Sequence, residues 1–396
     1  MAYREAVIVG AVRTPVGRRG GALSSWHPVD LLGQTLRTLI DRSGVDEALI
    51  DDVIAGCVLQ NEQQAGNLGR HAVLAAGLPE SIPAVTVDRQ CGSGQQAVSF
   101  AAQAIMADCA DLVIACGVES MSRVPMPPAM TPGAPLGPNY SPRELSRYPA
   151  DSDSGGLMAQ GASSELMNTR FGLTRVDLDD FSARSHKRAW AATQAGKFTA
   201  QLVPLTIDPD DPESDPISVD EGIRPSIDRD KMAALRTVFA DDGMTTAANS
   251  SQISDGAAAL LIADRDFARR HHLTPRARFR ALSVAAADPV VQFTAILDAT
   301  EKALKRSGLS IDDIDLFEVN EAFAGVPLMF QRHFGVPDDR LNINGGSVAI
   351  GHPLGSTGAR MLTDLLCELE RSSKSLGLQT ICEATGTANT TIIERI

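Results

Sequence analysis

No apolar run in this chain approaches the ~20 residues that a membrane-spanning helix needs. The opening "MAYREAVIVGAVRTP" lacks the long apolar core and cleavage site of a signal peptide, and reads as a first strand. Close C-x-x-C pairs are missing as well: Cys57, Cys91, Cys109, Cys116, Cys367 and Cys382 stand apart. That scatter argues against a disulfide framework and against a zinc ribbon, and for a reducing cytoplasm. Positive charge is also short. A formal net charge of −13 sets aside nonspecific nucleic-acid binding, so an anionic ligand must meet a local basic cluster.

What is present is ordinary globular material. The chain has 396 residues, 43% of them hydrophobic and 21% charged, enough for one large core or two fused ones. Its main feature is a loose internal repeat. In the first half, "AVTVDRQCGSGQQAVSFAAQAIM" runs from strand through a glycine-rich turn into an apolar helix, followed by the strand "DLVIACGVES". In the second, "LNINGGSVAIGHPLGSTGARMLTDLLCELE" repeats that plan with a longer turn, followed by the strand "LQTICEATGTANTTIIERI". Earlier strands echo too, in "IDDVIAGCVLQNEQ" and "IDDIDLFEVNEAF". Helices over Leu31–Ser43 and Ala295–Ser307 precede them, each stopped by a glycine, Gly44 or Gly308. Alternating strands and helices of this kind imply two similar α/β layers packed together.

Between the halves, "PMPPAMTPGAPLGPNYSP" is too proline-rich for regular helix, and "IDPDDPESDPISVDEGIRP" is acidic and turn-rich. "LDDFSARSHKRAWAATQAGKF" has helical spacing at Phe181, Ala189 and Ala192. The expected division is an N-terminal α/β half over 1–120, an inserted loop domain over 121–250, and a C-terminal α/β half over 270–396. The N-terminal half closes near 245–265. Loops carried on a rigid scaffold in this way are where ligand contacts often sit.

Four residues stand at or just after the ends of expected strands, where open α/β sheets build their sites. Cys91, in "DRQCGSGQQA", lies at a helix N-terminus, where the helix dipole favours thiolate. Gly92 and Gly94 beside it allow close approach of a substrate. His352, in "GGSVAIGHPLGSTG", is followed by Pro353, which biases its backbone toward extension. Cys382 in "TICEATG" and Asn320 in "EVNEAF" each close a strand. Singly, each has an ordinary reading as a core or capping residue. Two cysteines, a histidine and an amide could also ligate zinc, but no paired ligand spacing supports a metal site.

These motifs identify a family by resemblance. Over essentially its whole length the chain resembles the thiolases, acyl-CoA C-acetyltransferases. "DRQCGSGQQA" looks like the nucleophile motif, "NEAF" the asparagine motif, "NGGSVAIGHPLGSTGAR" the histidine motif and "CEATGTA" the second cysteine motif. The resemblance implies a duplicated five-layered α/β/α/β/α core carrying a loop domain. It implies that Cys91 becomes acylated while His352 accepts its proton and pairs with the thiolate. Cys382, with a pKa near the ordinary ~8.5 of a thiol, would move the α-proton. Asn320 would hold a water that forms one oxyanion hole with His352, and the amides of Cys91 and Ala384 would form the other. No metal or redox cofactor is implied, since coenzyme A thioesters are the substrates. Arg224, in "DEGIRP", matches a nucleotide-contacting arginine, and Ser251, in "ANSSQISDGAAA", a serine on the pantetheine arm. Lys187 and Arg188 of "SHKRAW" are secondary candidates for coenzyme A contacts. Thiolases are typically dimers or dimers of dimers, and stretch 125–138 is a candidate contact between dimers.

The sequence departs from the family in three places. The segment after the second cysteine reads Glu383-Ala384-Thr385-Gly386 where the family is richer in glycine. Leu157 stands before Met158 where short-chain members carry a histidine, and Gln292-Phe293 stand where many have Met-Gly. Leu157, Met158, Gln292 and Phe293 fall in the implied substrate pocket, so they bear on chain length and direction. An apolar Leu157 points to cleavage of 3-ketoacyl-CoA larger than acetoacetyl-CoA, with Phe293 as the residue that could instead close the channel. Three other readings compete: a short-chain biosynthetic acetoacetyl-CoA thiolase, a decarboxylating ketoacyl synthase, and a non-catalytic acyl-CoA or lipid carrier. The synthase lacks a second catalytic cysteine, and a carrier need not keep Cys91, His352 and Cys382 together.

Overall fold

The chain opens with β1 (Ala6–Arg13), a short β2 (Gly17–Arg18) and α1 (Pro28–Ser43). Then come β3 (Asp52–Gly56), α2 (Leu68–Ala75), β4 (Ala84–Val87), α3 (Ser93–Met106) and β5 (Leu112–Ser120). The insertion carries α4 (Pro142–Arg147), α5 (Gln160–Arg170), α6 (Arg175–Gln194), the small hairpin β6 (Leu205–Thr206) and β7 (Pro216–Ile217), and α7 (Arg229–Ala233). After it, β8 (Ser254–Asp264), α8 (Arg265–Arg270), β9 (Ala277–Ala286) and α9 (Ala295–Ser307) return the chain to the core. The last elements are β10 (Leu316–Val319), α10 (Gly325–Phe334), α11 (Leu354–Arg371), β11 (Leu376–Glu383) and β12 (Thr387–Arg395). This computed structural model describes residues 4–126, 140–149 and 156–396, so most of stretch 125–138 lies outside the described residues.

Duplication is visible in the strand order. The first half runs β4-β3-β5-β8-β1 and the second β10-β11-β12-β9, so β3 corresponds to β10, β5 to β11, β8 to β12 and β1 to β9. β3–β5 and β10–β11 are parallel, whereas β5–β8 and β11–β12 are antiparallel. The halves meet edge to edge where Val7 and Ile8 pair with Arg278 and Ala277. Helices α1 and α2 cover the outer face of the first half, and α9 and α10 that of the second. Between the two layers of strands lie α3 and α11, burying Ala97, Ala101 and Ile105 with Ala359, Leu362 and Leu366. The result is the five-layered α/β/α/β/α arrangement. Gly44 and Gly308 stop α1 and α9 at φ of 65° and 70°, a conformation that costs glycine little.

Two expected strands differ. "LNIN" is not a strand; Leu341 makes a single bridge to Phe317. Asn342 explains the loss. Its side chain accepts from the Val319 amide and donates to the Val319 carbonyl, both at 2.8 Å, so one amide group replaces a strand's ladder. "LQTICEATGTANTTIIERI" is a hairpin, because Thr385 and Gly386 at φ of 61° and 78° reverse the chain between β11 and β12.

Glycines bring α3 and α11 together. A Cβ on Gly94 would sit 2.7 Å from the Gly355 carbonyl oxygen and 3.0 Å from the Ala359 amide, and one on Gly358 would overlap the Gln95 backbone. Gly56 likewise abuts Ser93 and Gly94. The backbones therefore touch directly at the two helix N-termini, one next to Cys91 and the other next to His352.

Candidate active site

Cys91 is delivered by a tight turn at the end of β4. Asp88 accepts from the Gln90 amide at 2.7 Å, and the Ser93 hydroxyl accepts from the Arg89 amide at 2.9 Å. Gln90 takes φ of 49°, and Gly92 caps α3. The cysteine is buried in an apolar cluster with Leu59, Met121, Val124, Leu354, Met361 and Ile381. Burial pushes its thiol up to about 12; Glu383 adds to the shift, and the residue's own amide opposes it. Desolvation thus opposes the helix dipole, which alone would favour the expected thiolate. Gly92 and Gly94 make room for Glu383 and Gly355 of the protein itself.

His352 lies in the loop before α11 and does not follow a strand. Its amide reaches the Gln252 carbonyl and the Ser254 hydroxyl, both at 3.2 Å. The Thr357 hydroxyl donates to the Pro353 carbonyl at 2.9 Å, so it accepts from His352 Nδ1, 2.7 Å away. That assignment leaves Nε2 unprotonated, an acceptor facing Asn320 Nδ2 at 3.4 Å. Burial pushes the imidazole down to about 3, with the Arg360 charge adding to it. Burial thus favours the neutral form of both the histidine and Cys91, which works against the expected ion pair.

Asn320 follows β10 directly. Arg360 Nη2 donates to Ser347 Oγ at 3.3 Å, and Ser347 donates to Asn320 Oδ1 at 2.6 Å. The amide is thereby oriented with Nδ2 toward His352 Nε2, at 3.4 Å. Arg360 is held by Asp364, which is shared with the fully buried Arg13, itself bound to Asp220 of the insertion. Nearby, Glu321 accepts from Ser185, Asn342 and the Val348 amide, and Glu119 from the amides of Val58, Leu59 and Gly355. Sequence reasoning passed over Ser347, Thr357 and Arg360, although all three lie within the histidine motif.

Cys382 is buried near the end of β11, paired with Ala388. Burial first, then the Cys91 thiol and Glu383, hold it well above the usual thiol range, so it stays protonated and does not titrate near neutrality. Ala384 opens the turn after β11 and is half-buried. Ser251 donates its amide to the Ala322 carbonyl at 3.0 Å, beside "NEAF". Arg224 is exposed, its amide donating to His186 Nδ1 at 3.1 Å. Lys187 is exposed too, whereas Arg188 is committed to Asp338 and the Leu341 carbonyl.

The pocket residues divide. Leu157 is buried and Met158 half-buried at the start of the segment leading to α5. Gln292 is occupied structurally: its amide nitrogen reaches the Met158 carbonyl and Ser163, both at 2.9 Å, and its oxygen accepts from the Thr385 amide at 3.1 Å. Phe293 is fully buried under α9, edge to face with Phe323 at 5.5 Å. Its ring packs into the core cluster with Ala295, Phe317 and Phe330.

The profile of the thiolase N-terminal domain matches residues 6–266, and that of the thiolase C-terminal domain matches residues 273–395. The chain belongs to the thiolase family. It is 48% identical to the steroid 3-ketoacyl-CoA thiolase FadA6 of Mycobacterium tuberculosis, over 99% of this chain and 94% of that protein. Its fold matches the Bacillus anthracis acetyl-CoA acetyltransferase with a TM-score of 0.89 and 34% identity, covering 100% of both chains. It matches human mitochondrial 3-ketoacyl-CoA thiolase with a TM-score of 0.88 and 32% identity, over 99% of each. This thiolase is an acyltransferase, catalysing reversible acyl transfer to coenzyme A. No described helix is long and apolar enough to cross a membrane.

Proposed function

We propose that this thiolase works through an acyl-Cys91 intermediate, mainly in cleavage of 3-ketoacyl-CoA substrates larger than acetoacetyl-CoA. The carrying observation is the oriented pair of His352 and Asn320, with Nε2 unprotonated and the Asn320 amide turned toward it. In thiolysis the Cys91 sulfur attacks the 3-keto carbon and passes its proton to His352 Nε2. The C2–C3 bond breaks, and Cys382 gives its proton to the departing enolate of acetyl-CoA. The Cys382 thiolate then deprotonates incoming coenzyme A, whose sulfur takes the acyl group from Cys91. Imidazolium Nε2–H and a water on Asn320 serve one oxyanion; the Cys91 and Ala384 amides serve the other. Arg224 and Ser251 are the proposed coenzyme A contacts, and no metal or redox cofactor takes part. Brief incubation with acetyl-CoA, followed by peptide mass spectrometry, should place the acetyl group on the Cys91 peptide. Cys382→Ala should bind coenzyme A yet lose deuterium exchange into the acetyl-CoA methyl group. Label on Cys382 alone, or undiminished exchange in the variant, would reassign the roles.

Three observations support the larger substrates: the apolar Leu157, the withdrawal of Phe293 into the core, and a Cys382 held protonated as a cleavage acid needs to be. The similarity to a relative named for steroid 3-ketoacyl-CoA extends the class to bulky acyl groups. Each buried methylene adds about 0.8 kcal/mol, so kcat/KM should climb in steps along a series of 3-ketoacyl-CoA thiolysis substrates. A maximum at acetoacetyl-CoA with longer chains inert would install the short-chain reading.

A homodimer or homotetramer, acting in the cytoplasm, completes the proposal. β4 ends the first half's strand order with one edge unpaired among the described residues, and Leu74, Val85 and Phe100 around it are exposed. Sedimentation at micromolar concentration should give at least a dimer, and Val85→Lys should weaken it; a wild-type monomer would contradict this.

A further inference from the structure

The residue after Cys91 and the residue after Cys382 meet. Glu383 is fully buried at the end of β11, its carboxyl packed on the Cα of Gly92, where a Cβ would overlap Oε1. Thr387 of β12 donates to Oε2 at 2.5 Å, and Asn389 of the same strand donates to the Gly92 carbonyl at 3.2 Å. Oε1 is buried and has no hydrogen-bond partner among the described residues. A buried carboxylate left half-unpartnered is costly, whereas the neutral acid is not.

We propose that Glu383 is a positioning residue: its neutral carboxyl keeps the Cys91 and Cys382 segments in register, and its ionisation sets the alkaline limit of Cys91 acylation. This rests on the reading of Cys91 as the acylated residue. The groups facing the carboxyl are Cys91 at the start of α3, Asp88 and Arg89 in the turn before it, Cys382 on its own strand, and Thr387 on β12. Burial raises the carboxyl to about 8, with Asp88 adding to the shift and Thr387 and Arg89 opposing it. Below that pH the acid is neutral. Above it, a negative charge faces both sulfurs, opposes thiolate formation at Cys91 and disrupts the packing on Gly92. Ionisation only releases the Glu383 proton to water, so no further reactant is required.

The test is the pH dependence of single-turnover acylation of Cys91 by acetyl-CoA. Wild-type acylation should fall about tenfold per pH unit above roughly pH 8, as loss of one proton from a required acid dictates. Glu383→Gln keeps the shape but cannot ionise, so that fall should vanish. Thr387→Val keeps the acid but removes a donor that favours its ionised form, so the limit should move upward. It carries the test alone if Glu383→Gln does not fold. A purely structural role would leave the limit in place. An alkaline limit unchanged in the folded variants would overturn this inference while leaving the acyl-enzyme intact. No acylation of Cys91 at any pH in the wild type would instead remove the reading on which it rests.

Discussion

Everything at the site depends on how closely α3 and α11 approach one another. Cys91 leads into one helix and His352 into the other, and the helices come from opposite halves of a duplicated chain. Ordinary side chains keep helix axes 8–10 Å apart. Here Gly94, Gly355 and Gly358 remove the spacers, and backbone rests on backbone. Gly56 and Gly117 extend the contact to β3 and β5, so the strands of the first half press on the same spot. The glycine-rich stretches thus fit two parts of the protein together, and Cys91 is left buried among mostly apolar side chains.

Burial then decides the chemistry. A solvated thiol at a helix start would be drawn toward thiolate, and a solvated histidine would titrate near neutrality. Burial drives both toward their neutral forms. Orientation supplies what charge does not: Thr357 selects the histidine tautomer, and Ser347 selects the amide orientation of Asn320. The buried charges that remain, on Arg13, Asp220, Asp364 and Arg360, are paired, as their removal from water demands. This chain of ion pairs runs from β1 and the insertion to Ser347, so the loop region and the catalytic amide are part of one network.

Much of this was legible in the sequence, for local reasons. Gly44 and Gly308 marked helix ends because only a left-handed residue closes such a helix cheaply. Cys91, Asn320 and Cys382 were found because strand ends are visible as apolar runs that stop. What stayed hidden depends on distant partners. Asn342 looks like a strand residue until its side chain is seen bonding Val319. Phe293 gives no sign in the sequence of the cluster under α9 that packs around it. The burial of Cys91 comes from neighbours on four other segments of chain, around Leu59, Met121, Leu354 and Ile381, which no local pattern encodes.

The close approach of the helices is most directly tested by the urea unfolding midpoint and Cys91 acylation rate of Gly358→Ala. On helix propensity alone the change should stabilise α11 by up to about 1 kcal/mol. Against that, a methyl group forced onto the Gln95 backbone should cost about 1–3 kcal/mol or more and push α3 away. The expected result is a lower midpoint together with slower acylation. A variant as stable as the parent, or more so, that acylates at the parental rate would show that the site does not depend on this contact.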